Sequence, residues 1–275
     1  MPRTRKTRRP LTNAARVGAA FDREALRKVC TMRETAFPSA YGLETVKVPQ
    51  AAPSDFYAYR DNGSSVLAVA HLDTVSPHSG RACHYVDTES GPVVFSRALD
   101  DRLGAYVLLD LLPRLDVNVD VLLTVGEESG QSTAAYFDPP KAYDWVIEFD
   151  RGGTDVVMYQ FEDDDTCDLV RECGARVGEG IFSDIAYLEH LGVKAFNWGV
   201  GYQDYHSERS HAFLEDTFRM VGYFLDFHAL NVDTRMPHDE LRAIVAGTAY
   251  GEDDDDTALA YWRATGELGW DAKQA

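Results

Sequence analysis

Two histidines and a recurring set of carboxylates stand in short motifs whose residue types suit metal-assisted hydrolysis. They are His71-Leu72-Asp73, Asp100-Asp101, Gly126-Glu127-Glu128, Asp150 and His206. Successive motifs lie 29, 27, 22 and 56 residues apart. Two histidines and three carboxylates, one of them bridging, make a ligand set for two cations. Nitrogen and oxygen donors without thiolate suit zinc, with cobalt or manganese as substitutes. Two such ions, roughly 3.5–4 Å apart, can activate a water and polarise a carbonyl. A glutamate left over beside a ligand glutamate can then take the water's proton.

Residues so far apart must be gathered by a fold. Residues 13–36 carry apolar positions at helical spacing, and Pro38 ends the run. Strands are expected at 44–48, 55–60 and 65–70, with Asn62-Gly63 marking a hairpin between the last two. Residues 92–96 read as a short edge strand, and 101–113 as a buried helix. Val119–Val125 and Tyr143–Phe149 are continuous apolar runs, as doubly covered strands would be. A strand near 155–160, helices near 164–173 and 184–192, a strand near 194–198 and a long helix over 212–230 complete the body. The alternation predicts an α/β fold, a three-layer αβα sandwich with a mixed, mostly parallel central sheet. Loops beyond the carboxyl ends of such strands gather at one edge, so the five motifs should converge there.

Taken in order, His-x-Asp, Asp-Asp, Gly-Glu-Glu, Asp and His resemble the co-catalytic zinc exopeptidases. That superfamily includes bacterial leucyl-type aminopeptidases, tripeptide aminopeptidase, glutamate carboxypeptidase and acetylornithine deacetylase-like deacylases. The resemblance covers residues 13–230. It implies that His71 and Asp150 are terminal ligands of one zinc, Asp100 bridges, and Glu128 and His206 serve the second zinc. It makes Glu127 the general base and Asp73 the carboxylate that holds the His71 imidazole. It also implies a non-proline cis peptide at Asp100–Asp101. Many relatives insert a lid domain between the aspartate and the final histidine. Here 55 residues separate Asp150 from His206, and core elements fill them. A single domain without a lid is therefore expected, which favours the aminopeptidase branch. An N-acyl amino acid deacylase or a carboxypeptidase on the same core is the alternative, and a non-enzymatic binding protein on the same fold is the third reading. Arg151 can pair with Asp150 or meet a substrate carboxylate. Asp184, Tyr202 and Tyr205 are further candidates for substrate contact.

The chain has 275 residues and a net charge of −18, which argues against a general nucleic-acid binder. The expected partner is a small peptide or acylated amino acid. The 45% apolar content allows a sizeable core, and no run reaches the length of a membrane span. Arg3, Arg5, Lys6, Arg8 and Arg9 form a basic arm within residues 1–12, read as a solvated tail, though it can touch nucleic acid or membrane. No apolar stretch follows it, and the four cysteines make no C-x-x-C pair, so a reduced, cytoplasmic chain is expected. The catalytic body is expected over 13–232. Residues 233–275, with the acidic run Glu252–Asp256, read as a linker and a helical segment at 257–268.

Overall fold

The segment Val66–His71 is buried at all six positions, as a strand covered on both faces must be. It lies at the centre of the sheet. The computed structural model describes residues 12–49, 55–75 and 82–238. The basic arm before Thr12, the acidic run and the expected helix at 257–268 lie outside the described residues.

In chain order the strands are β1 (Glu44–Lys47), β2 (Phe56–Arg60), β3 (Val66–His71), β4 (His84–Thr88), β5 (Gly91–Phe95), β6 (Asp120–Thr124), β7 (Trp145–Glu148), β8 (Val156–Val157), β9 (Ala195–Trp198), β10 (Tyr202–Gln203) and β11 (His211–Phe213). The helices are α1 (Asn13–Ala20), α2 (Arg23–Thr31), α3 (Phe37–Tyr41), α4 (Leu99–Tyr106), α5 (Leu112–Arg114), α6 (Asp164–Glu172) and α7 (Leu214–Asn231). Among the described residues, seven strands form the main sheet in the order β1-β2-β6-β3-β7-β9-β8. Its centre, β6-β3-β7-β9, is parallel. The flanking strands β1, β2 and β8 are antiparallel.

Side chains alternate across each strand, and this sets the layers. On β7, Trp145 faces α7, meeting Phe227 edge-on at 5.4 Å between centroids. Phe196 and Trp198 of β9 pack against the same Phe227. Glu148, on the other face of β7, meets Ser183 at the start of the short helix Asp184–Leu191. Helices therefore cover both faces, giving the expected αβα sandwich. Among the described residues, no helix is long and apolar enough to cross a membrane.

Four sequence expectations change. The run 13–36 is not one helix. It breaks at Phe21-Asp22, where the Asp22 carboxylate accepts from the amides of Glu24 and Ala25 and caps α2. Asn62-Gly63 does not make a hairpin, because β6 lies between β2 and β3. The Asp120 carboxylate at the start of β6 accepts from the amides of Asn62 and Ser64 at 2.8 and 3.0 Å and holds that loop as a crossover. Residues 92–96 are not an edge of the main sheet. They form β5, an inner strand of a separate antiparallel sheet, β10-β11-β5-β4. The strand expected over 155–160 is only Val156–Val157, because the chain turns at Tyr159, where φ is +49°.

Candidate metal centre

β6, β3 and β7 run parallel and end on one edge. The chain passes from β3 to β6 on one side and then to β7 on the other, so the edge beside β3 is a topological switch point. His71 is the last residue of β3, and Asp150 follows β7 by two positions. Gly126, at φ +89°, turns the chain after β6 and sends Glu127 and Glu128 back over the strand ends. A Cβ there would lie 2.5 Å from the Gln131 carbonyl oxygen, so the turn requires glycine. Asp100 opens α4, and its bond to Asp101 is cis. His206 stands in the turn between β10 and β11, at φ +59°.

These five side chains form two triads that share one member. His71, Asp100 and Asp150 present ligand atoms within 4.8 Å of one another, and so do Asp100, Glu128 and His206. His71 Nε2 lies 3.2 Å from Asp100 Oδ1 and 3.7 Å from Asp150 Oδ2. His206 Nε2 lies 3.0 Å from Asp100 Oδ2 and 2.8 Å from Glu128 Oε2. Each oxygen of Asp100 thus faces a different triad. Glu127, in neither triad, holds Oε2 3.8 Å from His71 Nε2.

Surrounding groups fix the orientation of these side chains. The Asp73 carbonyl oxygen lies 2.9 Å from His71 Nδ1, whereas the Asp73 carboxylate is 3.6 Å away. The imidazole is therefore held mainly by the Asp73 main chain. The Asp73 carboxylate accepts instead from the Glu128 amide at 3.2 Å. The Tyr202 hydroxyl donates to Asp150 Oδ1 at 2.8 Å, which leaves Oδ2 toward His71. Asn197 on β9 accepts from the Asp150 amide and donates to its carbonyl, at 3.0 and 2.8 Å.

The electrostatics describe a site with too much negative charge. Burial, then the charge of Asp150, pushes Glu127 up to about 9. Burial and Asp100 push Glu128 up to about 7. Burial alone would depress the His71 imidazole, but Asp150 and Asp100 overcome it and raise it well above its usual range. His206 is raised by its hydrogen bond to Asp100. Two further buried acids, Asp101 and Glu148, are raised well above the carboxylate range, by burial first and then by the charge of Asp150. Asp101 Oδ2 and Glu148 Oε1 have no hydrogen-bond partner among the described residues. Buried carboxylates at this density require cations or protons. The paired nitrogen and oxygen triads fit two divalent ions.

A cavity of about 380 Å³ opens over the triads. Tyr202, Tyr205 and Arg151 line it, as do Tyr159, Ile181 and Phe182. Tyr205 packs edge-on against His206 at 4.8 Å between centroids. Arg151 does not pair with Asp150. Its guanidinium grips Asp155, at 2.6 and 3.0 Å, because Asp150 is already held by Tyr202 and faces His71. Asp184 does not line the cavity. It is fully buried beneath the sheet end, accepts from the Thr124 hydroxyl, and is pushed up to about 6 by burial. Sequence reasoning gave no role to Glu148, Tyr159 or Asn197. The signal for Glu148 was a charge inside the apolar run Tyr143–Phe149.

No protein-family model matches the chain, and no curated protein matches it in sequence. Solved structures do match. A tripeptidase from Staphylococcus aureus aligns with TM-score 0.55 and 11% identity over 79% of this chain and 98% of its own. The aminopeptidase PepT from Bacillus cereus aligns with TM-score 0.55 and 11% identity over 78% of this chain and 98% of its own. An aminopeptidase from the archaeon Desulfurococcus kamchatkensis aligns with TM-score 0.51 and 14% identity over 76% of this chain and 94% of its own. At these identities the likeness is one of fold. The chain has the α/β fold of these peptidases.

Proposed function

We propose that this protein is a dinuclear metal exopeptidase, an aminopeptidase that hydrolyses short peptides. The observation that carries the reading is the shared carboxylate of Asp100, one oxygen toward His71 and Asp150, the other toward His206 and Glu128. His71 and Asp150 would hold one zinc, Glu128 and His206 the other, with Asp100 between them. Cobalt or manganese would serve the same oxygen and nitrogen donors. When bound, the pair of ions supplies carbonyl polarisation and a water of lowered pKa. Glu127 would accept the proton of the attacking water and return it to the leaving amine. Its carboxylate lies beside the ligands and belongs to neither triad. In the metal-free site burial, and then the charge of Asp150, raise its proton affinity. Asp73 acts through others: its carbonyl orients the His71 ring and its carboxylate holds the Glu128 amide. Tyr202 fixes which oxygen of Asp150 faces His71.

The test is mass spectrometry of a peptide pool, free and N-acylated, after incubation with zinc-loaded protein and a Glu127→Ala control. Stepwise loss of N-terminal residues, absent from the control, is the expected result. Release of acyl groups alone would move the assignment to a deacylase. Release of C-terminal residues would move it to a carboxypeptidase. Substantial activity in the control would remove Glu127 as the base.

A further inference from the structure

Among the described residues lining the cavity, Arg151 is the one permanently cationic side chain. Its guanidinium is not free to swing. Nε and Nη2 bind Asp155 Oδ1 and Oδ2 at 2.6 and 3.0 Å, and Nη2 also donates to the Glu179 carbonyl at 2.8 Å. Two glycines make room for this pair. A Cβ on Gly178 would lie 2.0 Å from Asp155 Oδ2, and a Cβ on Gly180 would lie 3.1 Å from Arg151 Nη1. Gly180 and Arg151 both line the cavity. Nη1, the end of the fork nearest Gly180, makes no hydrogen bond among the described residues. The Arg151 carbonyl accepts from Val200 at 2.9 Å, which ties the main chain at this point to the segment after β9.

The carboxylates and the imidazole of the wall, Asp100, Glu127, Asp150 and His206, are those assigned above to metal and base. Arg151 is thus an unassigned donor, held rigid in an acidic and aromatic cavity. A locked fork with one open nitrogen suits a carboxylate, because the ordering cost of the side chain has been met by Asp155 and Glu179. The ion pair with Asp155 cancels most of the long-range attraction, so recognition depends on directed N–H bonds. Lysine has no fork and cannot hold Asp155 and present a second donor in this geometry.

We propose that Arg151 Nη1 binds the free C-terminal carboxylate of the substrate and so restricts this site to short peptides with an unblocked C-terminus. The proposal rests on the peptidase reading above. A cavity of about 380 Å³ is near the lower end of small-molecule sites, which agrees with a short ligand.

The test is calorimetric binding of trialanine and trialanine amide to zinc-loaded Glu127→Gln protein, with Arg151 intact, as Arg151→Lys, and as the double variant Arg151→Met with Asp155→Asn. The double variant leaves no unpaired buried charge, and zinc content and thermal unfolding report folding for both. The acid should bind roughly 10- to 100-fold tighter than the amide when Arg151 is intact. The ratio should fall to about one in either folded variant. Equal binding of acid and amide, a preference that survives both variants, or no binding of either peptide would each overturn the proposal. Failure of the peptidase reading looks different. The native protein would then hydrolyse neither peptide while the binding preference and its dependence on Arg151 persisted.

Discussion

His71 and His206 point their Nε2 atoms at opposite oxygens of Asp100, at 3.2 and 3.0 Å. Their settings differ. The His71 side chain is fully buried at the end of β3, whereas that of His206 is 44% exposed in a turn. The shared carboxylate should therefore control both ions and His206 only one. Metal analysis after dialysis is expected to give about two zinc ions per chain for the native protein and about one for His206→Ala. Asp100→Ala should retain almost none. Retention of both ions by Asp100→Ala would show that the two triads do not depend on it.

Glu127→Gln removes the proposed base and leaves both triads in place. Turnover should fall by about 10²- to 10⁴-fold, with zinc content unchanged and KM little altered. Steady-state kinetics together with metal analysis checks this. Loss of zinc would instead make Glu127 a ligand.

Zinc uptake should release protons. In the absence of metal, Glu127 is pushed up to about 9 and Glu128 to about 7, so near neutral pH the metal-free site holds protons that cations must displace. Affinity should weaken as pH falls, and calorimetry in buffers of different ionisation enthalpy should detect the released protons. The same shift fixes the sign of a stability effect. The native Glu127 binds more protons than the unfolded one between its ordinary value of 4.5 and about 9. Chelated protein should therefore lose stability as pH rises through that window. Thermal unfolding of chelated Glu127→Gln protein should show a weaker decline than the chelated native protein.

Asp120 offers a control remote from the chemistry. It is fully buried at the opposite end of β6 from Glu127. It accepts from the hydroxyls of Tyr59 and Tyr143, both at 2.9 Å, and from Lys141 at 2.7 Å, as well as from the two loop amides. Asp120→Ala strands the amides of Asn62 and Ser64 and leaves the two hydroxyls only each other, while Lys141 keeps Asp61. It should cost about 3–5 kcal/mol in denaturant unfolding, on the scale of breaking a buried charged network. Zinc content of the folded fraction should be unchanged.

The parallel centre of the sheet was legible because β3, β6 and β7 are short apolar runs that alternate with helices. Each is followed by a candidate site residue just where apolar character stops. That abrupt change at His71, Glu127 and Asp150 is the same signal that marks both strand end and site. The β2–β3 hairpin misled because an Asn-Gly pair is a local cue, while the amides beside it are claimed by Asp120, which lies 58 residues from Asn62. The small sheet was hidden because β4 is mostly exposed and reads as a polar loop. The break between α1 and α2 was masked by helical periodicity that continues across Asp22. Arg151 stood out in sequence beside Asp150, but its partner was not readable, since Asp155 reaches it only through the turn that leads to β8.

The position of β6 between β2 and β3 has a consequence for how the chain reaches its native state. Two strands that leave the ribosome together cannot pair with each other. They must wait for a third, whose first residue is Asp120. Until then β2 and β3 each leave an edge of backbone N–H and C=O groups unpaired, and closing the sheet demands contacts of high sequence separation, which slow folding. Unpaired edges of this kind invite association between nascent chains. Substitutions that weaken β6 are therefore expected to lower the yield of soluble protein more than their effect on the finished structure would suggest.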